Sequence, residues 1–282
     1  MAFFQGNIYS KSIGMETQLY VSMPQDGRRY EGNGCPKTLI LLHGISDNAS
    51  GWARRSQADY FADKYGIAIF IPEVQRSFYQ NMRYGGQYYT YIADELPELI
   101  EAMFTVSTKR EDFMVAGLSM GGYGALRIAF GNPDRFGYCG AFSAGCDIQM
   151  IVEDREKTNG IGDAGNNLPN ELAAAFGTDY TLPADSDLYK LLAKVSLRDK
   201  KPRLYMTCGA EDFLYPMNVD FVQYLKTMPI DFDYEEWPGI HDWDFWNVSL
   251  EKMLIRFIGE QTISENQRKS ESITLNDMES TI

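Results

Sequence analysis

The sequence predicts an α/β protein: a mostly parallel central sheet with helices on both faces. Three observations carry that expectation. Short β-rich apolar runs, KTLILLHG (37–44) and IAIFIPE (67–73), suit strands buried on both sides. Helical patterns alternate with such runs along the chain. No internal repeat or linker divides the 282 residues, a length that one α/β domain can reach.

In chain order, TQLYVSMP (17–24) alternates like a half-exposed strand, ahead of the run at 37–44. SGWARRSQADYFADKYG (50–66) reads as a helix closed by Gly66. After the strand at 67–73, YYTYIADELPELIEAMF (88–104) reads as another helix, with Pro97 as a source of a kink. DFMVAGLS (112–119) is a strand that runs directly into the helical pattern YGALRIAF. FGYCGAFSAG (136–145) and RLYMTCG (203–209) are the next strands. FDYEEWPG (232–239) alternates again, and DWDFWNVSLEKMLIRFI (242–258) is a long helix. Residues 147–187 break the rhythm with Gly, Asn and Asp clusters and a single clear short helix near 170–176. An insertion of that length between core strands predicts a cap over a site. Residues 1–263 are expected to form the one domain, and the polar stretch 264–282 a tail.

Composition narrows the function classes. A net charge of −13 without any basic run argues against a nucleic-acid partner, whose phosphates demand a basic face. The longest apolar runs, LILL and IAIFI, are too short to span a bilayer, so no membrane partner is expected. MAFFQGNIYS lacks the early Lys or Arg of a signal peptide. The cysteines, Cys35, Cys139, Cys146 and Cys208, make no CxxC pair and read as reduced thiols, which predicts a cytoplasmic location. Two histidines without clustered carboxylates argue against a zinc hydrolase, and neither metal nor cofactor is expected.

GLSMGGYGALRIAF (117–130) carries the chemistry. It places Ser119 in a G-x-S-x-G motif between a strand and a helix, the setting of a nucleophile elbow. The bland alternative is a tight turn with an incidental serine. A serine hydroxyl needs a base to take its proton. In the order Ser, acid, His, that base is His241, because His43 precedes Ser119. The acid falls in LYMTCGAEDFLY: Asp212 first, Glu211 second, with Asp185 and Asp187 a weaker third choice that suits a helix cap. Oxyanion donors follow as the N–H groups of Met120, next to the serine, and of Ile45, behind Gly44, with His43 supporting that loop. Trp52 and Tyr84 are candidates to line the substrate pocket, with packing as their alternative role.

LLHGISDNASGW, YYTYIADELPELI, GLSMGGYGALRIAF, CGAEDFLY and GIHDWDFWNVSL follow one another as in bacterial tributyrin or acetyl esterases of the esterase D superfamily. The resemblance spans roughly residues 10–260 and extends to feruloyl esterases and S-formylglutathione hydrolases. It implies an α/β-hydrolase fold, Ser119, Asp212 and His241 as triad, and Ile45 and Met120 as oxyanion donors. The implied activity is hydrolysis of short acyl esters, acetyl to butyryl, through an acyl-enzyme. Feruloyl or acetyl-xylan ester hydrolysis is the alternative. S-formylglutathione hydrolysis ranks below it, because Ile240 and Asp242 flank His241 where that group has Asp and Ser. A non-catalytic hydrolase-fold binding module is the alternative of a different class, and the resemblance makes a homo-oligomer an option.

Overall fold

The computed structural model describes residues 1–25, 35–153 and 167–259. Its centre is an eight-stranded sheet in the order β1-β2-β4-β3-β5-β6-β7-β8. The strands are β1 Ala2–Ser10, β2 Met15–Met23, β3 Lys37–Leu42, β4 Ile67–Pro72, β5 Phe113–Leu118, β6 Tyr138–Phe142, β7 Arg203–Gly209 and β8 Phe232–Trp237. β1 and β2 form an antiparallel hairpin, and β2 runs antiparallel to β4. Every other pairing is parallel. The helices are α1 Ser50–Arg55, α2 Ala58–Tyr65, α3 Tyr88–Thr90, α4 Leu96–Met103, α5 Met120–Gly131, α6 Ile148–Glu153, α7 Leu168–Phe176, α8 Leu188–Ser196, α9 Tyr215–Leu225 and α10 Trp243–Ile258.

Continuous apolar runs are what a strand covered on both sides requires. Along β3, Ile40 and Leu42 enter one core while Leu39 and Leu41 enter the other. β5 divides the same way, Phe113 and Val115 against Met114, Ala116 and Leu118. The first core is closed by α4, α5, α8 and α9, the second by α1, α2 and α10. Fully burying each such Leu, Ile, Val, Phe or Met side chain stabilises the fold by about 1.5–3 kcal/mol.

Two expected helices are interrupted. The one at 50–66 is split into α1 and α2 at Ser56 and Gln57. Ser56 Oγ donates to Trp52 O and accepts from Ala58 N–H, and Gln57 N–H goes to Asn247 Oδ1 at 2.7 Å. These side-chain bonds take the place of helical ones. The helix at 88–104 contains a π-helical turn, Tyr91–Glu95, just before Pro97. Pro97 has no N–H for the Ala93 carbonyl, which accepts instead from Arg135 Nη1 at 2.7 Å.

β1, α6 and α9 appear without having been read from the sequence, and α8 is capped at its start by Asp187, one of the two residues read as a helix cap. Between β6 and β7, α6 and α7 flank the first core; α7 matches the expected short helix, and residues 154–166 of that insertion lie outside the described residues. The tail 264–282 also lies outside them. Among the described residues no helix is long and apolar enough to cross a membrane. The four cysteines are free.

Strand order places the site. From β3 the chain steps to β4 on one side, then returns to β5 on the other. The crevice outside the carboxyl ends of β3 and β5 is the topological switch point where such sheets bind ligands. Gly44 follows β3 there, and Ser119 follows β5.

Candidate active site

Ser119 joins β5 to α5 with φ +55° and ψ −118°, a conformation strained for a residue with a side chain. Its N–H donates to Phe142 O at 2.9 Å, and its carbonyl accepts from Tyr123 N–H at 3.1 Å. Strand and helix pack so closely that a Cβ on Gly117 would strike the Gly121 backbone, and one on Gly121 would strike the Leu42 and His43 carbonyls. The glycines are thus a packing requirement of the sharp turn. Of residues 113–130, Ser119 alone is not buried. The fold hides the whole segment and leaves that one residue in reach of solvent.

The loop after β3 lies against it. A Cβ placed on Gly44 would sit 3.5 Å from Ser119 Cβ and 2.7 Å from Leu118 Cδ1, so only glycine allows this approach. The turn Gly44–Asp47 is closed by Asp47 N–H donating to Gly44 O at 3.3 Å. Ile45 in this turn and Met120 at the start of α5 both border the same pocket as Ser119. Met120 N–H belongs to the first helical turn, which has no acceptor within the helix. His43 is fully buried beneath the loop: its Nε2 accepts from Val74 N–H at 3.2 Å, and its Nδ1 faces Gly44 O at 2.9 Å. The donor on Nε2 fixes a neutral ring with the proton on Nδ1. Tyr79 donates its hydroxyl to His43 O at 2.8 Å, and burial pushes that phenol well up.

Asp212 and His241 are brought together by the loops after β7 and β8. Those loops are joined through the backbone: Ala210 N–H donates to Trp237 O at 3.0 Å, and Glu211 N–H to Gly239 O at 3.1 Å. Gly209 has no room for a Cβ against the Gly239 carbonyl. His241 Nδ1 meets Asp212 Oδ2 at 2.8 Å, and Asp212 Oδ1 accepts Leu214 N–H at 2.8 Å. The Asp212 carboxylate is buried, and the imidazole is 16% exposed. Phe213 lies 4.5 Å from the ring and Trp246 meets it edge-on at 4.9 Å, so its orientation is fixed from three sides. The competing acids are engaged elsewhere. Glu211 Oε2 accepts Gly239 N–H at 2.6 Å, Asp185 pairs with Arg127, and Asp187 caps α8.

The pocket at Ser119 is walled by Ile45 and Phe78, by Met120 and Tyr123 of α5, by Ile148 and Ile151 of α6, by Leu168 of α7 and by Leu214. Tyr123 shows it an aromatic ring, because its hydroxyl is used inside: it donates to Ser186 O at 2.7 Å and accepts from Gln80 Nε2 at 2.8 Å. Burial pushes that phenol up to about 12. Two expected lining residues are not among these walls. Trp52 is fully buried in the second core, its indole N–H on Leu42 O at 2.9 Å and its ring edge-on to Trp243 at 5.2 Å. Tyr84 is exposed, and its N–H is bonded to Ala174 O at 2.9 Å. Both are packing or surface aromatics. Sequence reasoning missed Asp47, the carboxylate nearest Gly44. Burial pushes its carboxyl up, and the Arg55 guanidinium pulls against this without cancelling it. Its place three residues after Gly44 was the available signal. Among the described residues, no three His, Cys, Asp or Glu side chains cluster as metal ligands.

Residues 10–257 match the Esterase family model, described as "Putative esterase". The chain belongs to this esterase family. It is 33% identical over 258 residues to an acetyl esterase of Caldicellulosiruptor saccharolyticus, covering 88% of this chain and 94% of that one. Among solved structures, the substrate-bound fluorophosphonate-binding serine hydrolase FphF of Staphylococcus aureus superposes with a TM-score of 0.80 at 31% identity, over 91% of this chain and 98% of that one. S-formylglutathione hydrolase FrmB of Staphylococcus aureus, an apoenzyme, gives 0.78 at 31% identity over the same shares. The esterase is therefore an α/β-hydrolase-fold serine hydrolase acting on carboxylic esters.

Proposed function

We propose that the enzyme hydrolyses short-chain acyl esters, acetyl to butyryl, with Ser119 as nucleophile, His241 as general base and Asp212 as the acid that orients it. Ile45 and Met120 supply the oxyanion N–H groups. The observation that carries this reading is the 2.8 Å contact between His241 Nδ1 and Asp212 Oδ2, at the same sheet edge as the strained, outward-turned Ser119. That contact commits Nδ1 as a donor and leaves Nε2 with the lone pair that a base needs. Nε2 takes the Ser119 proton as Oγ attacks the ester carbonyl. The tetrahedral oxyanion is held by the two N–H groups. As the intermediate collapses, the carbon–oxygen bond to the alcohol breaks and His241 returns the proton to the leaving alkoxide. Water, deprotonated by His241, then cleaves the acyl-enzyme, and the acid and free Ser119 result.

The preference for short acyl groups rests on the apolar walls contributed by Ile148, Ile151 and Leu168, which also support a capping role for 147–187. The free thiols support a reducing, cytoplasmic setting. Ser119→Ala should abolish turnover of p-nitrophenyl acetate while the melting temperature is kept; activity near wild type would remove the assignment. Across p-nitrophenyl esters of graded acyl length, kcat/KM should peak between acetyl and butyryl, and Ile151→Ala should move the peak to longer chains. S-formylglutathione is the second substrate to assay, because the FrmB likeness favours it as much as the residues flanking His241 disfavour it.

A further inference from the structure

The apolar pocket at Ser119 can take the acyl half of an ester, and the alcohol half has to leave past His241. On the proposed mechanism Nε2 returns its proton to the leaving alkoxide, so that oxygen comes within hydrogen-bond distance of the imidazole. The group the oxygen carries then lies among the side chains that flank the ring.

The loops after β7 and β8, which hold that ring, reverse the usual arrangement of a protein surface. Their carboxylates are tied to backbone: Glu211 Oε2 accepts Gly239 N–H at 2.6 Å, Asp212 Oδ1 accepts Leu214 N–H at 2.8 Å, and Asp242 Oδ1 accepts Phe245 N–H at 3.0 Å. Their apolar residues face water instead. Phe213, which follows Asp212, is 48% exposed, and Ile240, which precedes His241, is 56% exposed. The Phe213 ring centroid lies 4.5 Å from that of the imidazole, with the planes inclined at 49°. Leu214, the next residue, lines the pocket at Ser119, so one loop serves both the pocket and the flank of the base. A residue needed only to brace the imidazole can be buried, as Trp246 is at 5% exposure. Phe213 keeps half of its surface in water beside the reacting nitrogen, and exposed apolar surface at such a place marks a ligand groove.

We propose that Phe213 and Ile240 bind the alcohol half of the ester, and that the enzyme selects esters of aromatic alcohols; this rests on His241 being the base. The aromatic group of the alcohol stacks offset on the Phe213 ring and meets Ile240 at its edge. The rival seat is the polar recess around the oxyanion turn, lined by Ser46, Asp47, Asn48, Ser50, Arg54 and Arg55, which would suit a polyhydroxy alcohol. Groups of that recess already engage one another. Ser50 Oγ donates to Asn48 Oδ1 at 2.6 Å, and Arg55 Nη1 faces Asp47 Oδ1 at 3.5 Å with its guanidinium over the Trp243 ring.

Three acetates test this, because they share the acyl group and differ only in the alcohol. Benzyl and ethyl acetate have leaving alkoxides of similar basicity, and glycerol monoacetate supplies the polyol. In the wild type, kcat/KM should be highest for benzyl acetate. Phe213→Ala should lower the benzyl-to-ethyl ratio about three- to tenfold, mainly through KM for benzyl acetate, and Phe213→Tyr should keep the ratio. Ile240→Ser should lower the same ratio about threefold. Equal losses for benzyl and ethyl acetate in Phe213→Ala would make the ring a brace only and overturn the proposal. A wild type that prefers glycerol monoacetate would overturn it too, by moving the alcohol to the polar recess. Should Phe213→Ala fail to fold, Phe213→Leu, which keeps bulk and loses the stack, decides on the same pair of esters. The ratio compares two substrates of one active site. An unchanged ratio therefore removes the alcohol subsite alone, whereas activity retained in Ser119→Ala removes the reading beneath it.

Discussion

The chain's two histidines sit in loops at the same edge of the sheet and are built in opposite ways. His43 is fully buried, and the backbone engages both its nitrogens: Val74 N–H on Nε2, Gly44 O at Nδ1. His241 is 16% exposed, and a carboxylate holds only its Nδ1. A ring with both nitrogens engaged can brace a loop but has no lone pair to offer a substrate. A ring held on Nδ1 alone keeps Nε2 for proton transfer. Identical side chains a few residues from the same pocket are thus set to different tasks by what their neighbours donate and accept.

That contrast is broken most severely at His241. On the proposed mechanism, His241→Ala should lower kcat by on the order of 10⁶-fold with the unfolding midpoint little changed. Asp212→Asn should lower it by about 10⁴-fold, because an amide at Oδ2 no longer selects the Nδ1–H tautomer. Its Oδ1 can still accept Leu214 N–H, so the loop should hold. His43→Ala should show the reverse profile. It empties a buried ring and orphans Val74 N–H, which costs about 2–4 kcal/mol in stability. Its effect on kcat, through a loosened Ile45 turn, should stay within roughly 10²-fold. Steady-state kinetics beside urea unfolding reads both axes. Equal kcat losses at His43 and His241 would erase the distinction.

The sequence made part of this contrast legible. The order Ser119, Asp212, His241 excluded His43 as base, because position along an α/β sheet fixes which strand end a residue occupies. The strand runs were legible for the same reason: a strand buried on both sides cannot hide its apolar continuity. The split at Ser56–Gln57 was not, since it depends on Asn247, distant in sequence. Trp52 stayed open between lining the pocket and packing, because its burial depends on α10 packing over the opposite face. Glu211 and Asp212 were separable only by the loop that carries Gly239, which occupies one and leaves the other for the imidazole. β1 escaped because an edge strand exposed on both faces has neither an apolar run nor a clean alternation to show.

The finest test of the contrast is Glu73, the carboxylate beside His43. Its Oε2 accepts Ala49 N–H and its Oε1 accepts Gln75 N–H, both at 2.7 Å, so it ties the loop after β3 to the loop after β4. Its 3.6 Å separation from His43 Nε2 is too long for a hydrogen bond, as expected if that nitrogen already accepts Val74 N–H. Burial pushes the Glu73 carboxyl up, the backbone donors of Ala49 and Gln75 pull it down, and the group is held below its ordinary value of 4.5. A carboxyl lowered on folding contributes stability that is fully present above its unfolded value and is lost as pH falls through its folded one. Glu73→Gln keeps one acceptor oxygen and turns an NH₂ toward the other donor, which should cost about 1–2 kcal/mol at neutral pH. The gap between wild type and variant should then close in acid, as the wild type protonates and forfeits the same advantage. Urea unfolding of both proteins from pH 7 downward measures that gap. A difference that stays constant or widens below pH 4.5 would mean that the carboxylate's charge plays no part in holding the loop over His43.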